Sequence, residues 1–302
     1  MNPVVIFAYN RLGCLTQTWR SLIDCSGFEG RDIFIFQDGL KEGGESEKWN
    51  DVNSFLKEIS QLQQVQLITR NDNLGLAVSV HSGISEVLTS FETVIVLEDD
   101  LILAKDFLEF MDSALALYKD RKDIYSVSGF SHFVNTEISE DVFLFPRPNS
   151  WGWATWREKW TGFKLDAIPR SVLDDYTLLK LFQRGGVDLP WMLRNQFRGK
   201  INSWAIQWSF YQFLSKGFSV YPRCSKVENI GFGENATHTK KLSNSSGKLC
   251  DTLLIPMSEV ACDKEIIEKY RVFFRLGMIT RFNSSIWIFY LRLKSAIIIS
   301  PL

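Results

Sequence analysis

The sequence has no G-x-G-x-x-G after its first apolar run and no G-x-x-x-x-G-K-[ST] anywhere. The glycine fingerprints of dinucleotide-binding dehydrogenases and P-loop NTPases are therefore missing. It has no Cys-x-x-Cys pair, and its five cysteines (Cys14, Cys25, Cys224, Cys250, Cys262) are odd in number and widely spaced. That argues against a zinc site or a disulfide framework and predicts a reducing compartment. Charge of one sign is not in excess: 34 basic side chains face 35 acidic ones, for a net charge of −1, so no electrostatic case for nucleic acid arises. No apolar run reaches transmembrane length, and MNPVVIFAYNR has no basic region before an apolar core, so it does not read as a signal peptide. No internal repeat is found. Three Asn-x-Ser/Thr sequons start at Asn235, Asn244 and Asn283; without a secretory signal they read as chance matches.

What is present is a globular composition over 302 residues, 45% hydrophobic and 23% charged, enough for one large or two ordinary domains. The organising stretch is Thr93 to Phe107, TVIVLEDDLILAKDF. Val94 to Leu97 is the β-branched run of a strand buried on both faces. Glu98, Asp99 and Asp100 follow at once, and adjacent carboxylates out of water need a cation to neutralise them. A helix is predicted from near Ala104. Upstream, strands are predicted at Pro3 to Ala8, Asp32 to Phe36 and Val65 to Thr69. Helices are predicted at Leu12 to Asp24, Glu47 to Gln61 and Leu74 to Leu88, and a further strand at Ile124 to Ser128. This alternation predicts an α/β fold with a mostly parallel central sheet flanked by helices.

The second half changes character. SWGWATWREKW, residues 150 to 160, packs in four tryptophans, which suit either a carbohydrate-facing surface or a rigid core. Helical patterns follow at Leu173 to Gln183, Leu189 to Arg198 and Trp204 to Lys216, then a strand at Phe218 to Tyr221. The polar, glycine-bearing stretch from Cys224 to Lys248 is expected to be mobile. The tail IWIFYLRLKSAIIISPL is apolar but carries Arg292 and Lys294; it reads as a helix packed on the body or as a segment lying on a membrane surface. The expected division is residues 1–145, a nucleotide-sugar-binding half; 146–250, an acceptor-side half; and 251–302, a helical tail.

Each early strand delivers polar residues to one sheet edge: Asn10 and Arg11, then Asp38, then Asn71 and Asn73, then the three acids. In open α/β sheets that edge is where ligands bind. A cation, amides and carboxylates there suit a nucleoside diphosphate with a hard divalent metal.

FAYNR, FQDG and VLEDDLILAKDF, in this order, resemble the glycosyltransferase-A fold, and more closely N-acetylglucosaminyltransferase I and its bacterial relatives. SWGWATW resembles the acceptor-side segment of those enzymes, and VYPRCSKVENIGFGENATHT their closing loop. The resemblance covers roughly Pro3 to Thr239. It implies a metal-dependent, inverting transfer of a sugar, such as N-acetylglucosamine, from a nucleotide diphosphate sugar to a hydroxyl of a glycan or lipid-linked glycan. The implied setting is cell-surface polysaccharide synthesis in the cytoplasm, at the inner membrane face. Arg11 and Asp38 would contact the nucleotide, Asn73 would lie on the base side, Glu98 would adjoin the donor site and Asp99 would hold ribose. Asp100 would ligate Mn²⁺ or Mg²⁺, and His238 would end the closing loop. The family's catalytic Asp falls on Ala205 or Ile206, neither of which can take a proton. The expected base is therefore Asp188 in GGVDLPWML, which also reads as a helix N-cap, with Asp174, Asp175 and Glu234 behind it. Two other classes stay open. An inactive nucleotide- or carbohydrate-binding relative would keep the fold without the base. A nucleotidyltransferase would need a basic, glycine-rich loop after the first strand, which FAYNRLGC does not supply.

Overall fold

A computed structural model describes residues 1–132, 140–231, 249, 250, 252, 254, 256, 260, 262–274 and 284–292. In chain order the elements are β1 (Val4–Ala8), α1 (Leu12–Ile23), β2 (Ile33–Gln37), α2 (Ser46–Ile59), β3 (Val65–Thr69), α3 (Leu76–Val87) and β4 (Thr93–Glu98). There follow β5 (Leu101–Leu103), α4 (Phe107–Tyr118), β6 (Ile124–Ser128), β7 (Val142–Phe145), β8 (Trp153–Trp156) and α5 (Arg157–Trp160). The second half continues with α6 (Tyr176–Phe182), α7 (Leu189–Phe197), α8 (Trp204–Leu214), β9 (Phe218–Pro222), β10 (Val227–Asn229) and α9 (Lys264–Phe273). A last helix covers 284–292.

Eight strands form one sheet in the order β3-β2-β1-β4-β8-β6-β9-β7. The run β3-β2-β1-β4 is parallel throughout, as the strand–helix alternation predicts. Beyond it β8 runs antiparallel to both β4 and β6, and β7 antiparallel to β9. Strands β8 and β9, from beyond residue 146, thus extend the sheet begun by the first half.

The alternation of side chains explains why β1 and the Val94–Leu97 run of β4 are apolar at every position. Val4, Ile6, Ile95 and Leu97 point to one layer, with Leu15 and Trp19 of α1, Leu56 of α2 and Met111 of α4. Val5, Phe7, Val94 and Val96 point to the other, with Val80 and Ile84 of α3 and Trp204 and Trp208 of α8. The tryptophan segment resolves mostly as core. Trp153 stacks on Trp204 at 5.3 Å between ring centroids and lies 5.9 Å from Trp160; all three are buried.

One expectation is corrected. Cys224 and Cys250 form a disulfide, although their spacing matches no recognisable framework. They meet because Lys226, fully buried, donates to Asp106 (2.6 Å) and to the carbonyls of Thr252 (2.6 Å) and Cys250 (3.2 Å), folding the two segments together. The stretch expected to be mobile is also ordered at its start: Val227–Asn229 is strand β10, antiparallel to β5.

Candidate active site

The C-terminal ends of β1 to β4 open into a cavity of about 300 Å³. From the sequence-predicted set, Arg11, Asp38, Asn73, Glu98, Asp99 and Asp100 all line it.

Arg11 directly precedes α1 and offers no side-chain cap to it. Its guanidinium turns to the acids instead, donating to Asp99 and lying 2.8 Å from Asp100 Oδ2. Burial pushes the Asp99 carboxyl up to about 6; Arg11 opposes the rise and Asp100 adds to it. Burial also raises Glu98, and the charges of Asp100 and Asp99 push the same way. For Arg11, burial disfavours the charge, but the two aspartates more than offset that and hold it firmly protonated.

Asp38, directly after β2, organises the rim. Its Oδ1 accepts from Leu74 N (2.9 Å) and Gly39 N (3.1 Å), and its Oδ2 from Gly75 N (2.9 Å). These bonds, with Gly75 at φ +73°, hold residues 74 and 75 in a turn, so α3 begins at Leu76 rather than Leu74. Asn73 donates to the Gly39 carbonyl at 2.7 Å, tying the β3 loop across the end of β2.

The acid turn is clamped from the far end of the sequence. Leu101 N donates to Thr18 Oγ1 (2.9 Å) and Leu103 N to Ser21 Oγ (3.1 Å), which pins β5 on α1. The β5–β10 ladder then delivers Asn229 and Gly231 to the cavity. Ile230 N donates to the Asp100 carbonyl at 2.8 Å, and Asn229 Nδ2 to Asp100 Oδ1 at 3.3 Å. A Cβ on Gly231 would lie 2.0 Å from Asp100 Oδ2 and 3.0 Å from Arg11 Nη1. Trp151, Asn229 and Gly231 also line the cavity; they fall in the segments expected to be the acceptor side and the closing loop, but the sequence patterns single out none of the three as a site residue. The VENIGFG segment was legible as a loop, but its pairing with LIL was not.

Among the described residues no group of three or more His, Cys, Asp and Glu side chains is arranged to hold a metal. The donor set nonetheless suits one kind of metal site. Asp100 presents a carboxylate to the cavity, and Gly231, having no side chain, lets Asp100 Oδ2 lie where a Cβ would otherwise clash. That fits a hard divalent cation whose remaining ligands are phosphate and water oxygens.

Asp188 does not line the cavity. Its carboxylate lies 2.8 Å from Arg147, with both side chains 14% exposed, and it makes no capping bond to α7. Asp175 caps α6 through Leu178 N at 2.9 Å, and Asp174 is exposed in the turn before it. His238 and Glu234 lie outside the described residues, as do the three sequon asparagines.

Residues 4–188 match the family described as Glycosyl transferase family 2. The chain belongs to that family. Among solved structures, GalNAc-T7 with UDP, GalNAc and Mn²⁺ aligns at a TM-score of 0.50 and 14% identity, over 80% of this chain and 45% of that one. The mannosyltransferase PcManGT from Pyrobaculum calidifontis, in complex with GDP-Man and Mn²⁺, aligns at 0.41 and 15% identity, over 61% and 53%. S. aureus TarS with UDP aligns at 0.40 and 13% identity, over 75% and 60%. This chain thus spans under half the length of the GalNAc-T7 chain, and the likeness is one of fold. No curated protein matches it. The glycosyltransferase-A architecture expected from the strand-end residues is the one found.

Proposed function

We propose that this family-2 glycosyltransferase moves a sugar from a nucleoside diphosphate sugar to a hydroxyl of a glycan or lipid-linked glycan, using Mn²⁺ or Mg²⁺ at Asp100, in the assembly of a cell-surface polysaccharide. The observation that carries this reading is the convergence of Arg11, Asp38, Asn73, Asp99 and Asp100 on one cavity at the parallel strand ends. N-acetylglucosamine is the sugar to test first, because the strand-end motifs most resemble enzymes that transfer it.

The metal, when bound, would stabilise charge on the leaving diphosphate. The chain's own residues do the rest. Asp38 fixes the rim formed by residues 73 to 75, giving the base a preformed wall. Asp99 is placed to accept from ribose hydroxyls once Arg11 turns from it to phosphate, where a guanidinium forms charge-assisted bonds. Asn229 and Gly231 hold the Asp100 carboxylate from the opposite side. Asp188 is assigned as the acceptor base of an inverting transfer.

A second reading has one observation in its favour. Every acid lining the cavity, Asp38 and Glu98 to Asp100, comes from the first half of the chain, and Ile206 at the family's base position is buried in an apolar cluster. A relative that binds nucleotide without transferring sugar would look the same. Mass-spectrometric screening of nucleotide sugars with Mn²⁺ separates the two. Hydrolysis or transfer of one donor supports the enzyme; tight binding of a donor with no turnover in any acceptor mixture supports the binder.

A further inference from the structure

The helix at 284–292 is amphipathic in an unusual sense. Its inner face, Ser284, Trp287 and Leu291, follows i, i+3, i+7 spacing and packs on the cluster formed by Leu179, Phe182, Leu193 and Phe210. Its outer face is not polar. Ile286, Phe289 and Tyr290 are 52%, 59% and 61% exposed, which places two aromatic rings and a branched aliphatic side by side in water. A contiguous group of this kind on a helix surface calls for a partner.

The charge around it says which. Arg292 is exposed at the end of the same helix. Arg194 stacks over Trp287 at 4.6 Å and lies 5.3 Å from the Trp191 ring. Burial, and then the charge of Arg198 nearby, lower the pKa of Arg194, so positive charges are crowded on this side. From Arg275 to Leu302 the sequence holds Arg275, Arg281, Arg292 and Lys294 and no acid at all. Exposed aromatic and aliphatic side chains with Arg292 on the same helix and Arg194 and Arg198 beside it are the chemistry of a helix lying in the headgroup layer of an anionic bilayer, with rings in the acyl boundary and cations at the phosphates. A second copy of this chain fits less well, because two such basic faces would repel each other.

We propose that the outer face of helix 284–292, with Arg292 and the arginines beside it, is a docking surface for an anionic lipid bilayer, seating the protein on the membrane without crossing it. No helix among the described residues is long and apolar enough to cross one. The inference does not depend on the sugar-transfer reading, since it concerns a surface outside the cavity.

The test is sedimentation of the full chain with vesicles of phosphatidylcholine alone and of phosphatidylcholine with about one-third phosphatidylglycerol. The wild type is expected to sediment with the anionic vesicles and to be released as salt rises from about 0.1 M to about 0.5 M. The Phe289→Ser, Tyr290→Ser double variant should bind at least about tenfold more weakly, with its melting temperature unchanged because both side chains already face outward. Should that variant melt early, Phe289→Ser alone carries the same comparison. Absence of wild-type binding to anionic vesicles, equal binding by the variants, or a wild-type dimer in light scattering that the double variant abolishes would each overturn the proposal.

Discussion

Arg11 holds Asp100 at 2.8 Å through Nη1 while its other nitrogen engages Asp99. One guanidinium thus balances two carboxylates that the sequence places side by side. A divalent cation at Asp100, as proposed, would compete with Arg11 for the same oxygen, and donor phosphate would let both stay. Arg11→Gln should bind Mn²⁺ alone more tightly than wild type and bind a nucleoside diphosphate in the presence of Mn²⁺ at least about tenfold more weakly, since a charge-assisted bond is worth roughly 1.5–3 kcal/mol. Calorimetric titration of the metal alone, then of nucleotide with metal, measures both. Unchanged affinities would remove Arg11 from the donor site.

Asp100→Asn tests the metal assignment directly. The carboxylate faces the cavity rather than the core, and Asn keeps an acceptor for Asn229 Nδ2, so the fold should survive. Metal-stimulated turnover of the nucleotide sugar should vanish, and EDTA should silence the wild type to the same degree. Wild-type activity that persists in EDTA would refute the assignment.

Gly231→Ala probes the same oxygen from the segment just after β10. The new methyl carbon would start 2.0 Å from Asp100 Oδ2, so either the carboxylate or the strand end must move. Because displacements of about 1 Å in a site can cost on the order of 10²-fold in rate, turnover should drop by at least about tenfold, with little change in melting temperature. A variant with unaltered turnover would show that this contact does not constrain the site.

The positions of these residues were unevenly legible. Strands β1, β2 and β4 announce themselves as apolar runs because both faces of the sheet are covered there, whereas β3, at the sheet edge, mixes Gln66 and Thr69 with its apolar residues; the polar strand ends follow from parallel topology. Asp38 was visible as a site residue, but its bonds to Leu74 and Gly75 were not, since they depend on how the β3 loop folds back. Strand β8 was hidden inside a tryptophan-rich segment whose composition suits a surface as well as a core. The ladder between LIL and VEN joins segments far apart in sequence, and no local pattern marks either as a partner. The Cys224–Cys250 bridge was missed for the same reason: three-dimensional closure around Lys226, rather than spacing, brings the sulfurs together.

Arg31 and Asp112 link stability to pH. Arg31 is fully buried and lies 2.7 Å from Asp112 Oδ2, while Asn2 donates to Oδ1 at 2.6 Å. Burial by itself would raise the Asp112 carboxyl; the bonds from Arg31 and Asn2 outweigh it and hold the group below the usual carboxylate range. A lowered folded-state value means the contribution is complete above the unfolded value, about 3.9, and is lost as pH falls through the folded one. Asp112→Ala should cost about 3–5 kcal/mol near neutral pH, as a buried cation loses its partner. The gap between wild type and variant in chemical denaturation should shrink below about pH 4. A gap independent of pH would mean that packing, not charge, holds this corner.

Asp188 poses the sharpest question about catalysis. An inverting transfer needs a carboxylate near the acceptor hydroxyl, and the proposed reading gives the acids lining the cavity to the nucleotide, the metal and the rim. Asp188 belongs to the second half, yet its carboxylate is held by Arg147, whose guanidinium stacks 3.9 Å from the Phe274 ring. As a base it must leave Arg147 when acceptor binds; as a structural partner it must not. Asp188→Asn separates the two, because Asn removes the charge in either case but retains an acceptor for Arg147. A base should cost about 10²–10⁴-fold in kcat for transfer, with donor Kd within a few-fold and only a small drop in melting temperature. The companion variant Arg147→Met should then leave transfer measurable, since it frees the carboxylate instead of removing it. If Asp188→Asn transfers sugar near the wild-type rate while Arg147→Met and Asp188→Asn melt equally early, the pair is a structural clasp, and the proton must go to another acid of the second half, with Asp174 and Asp175 the first to replace.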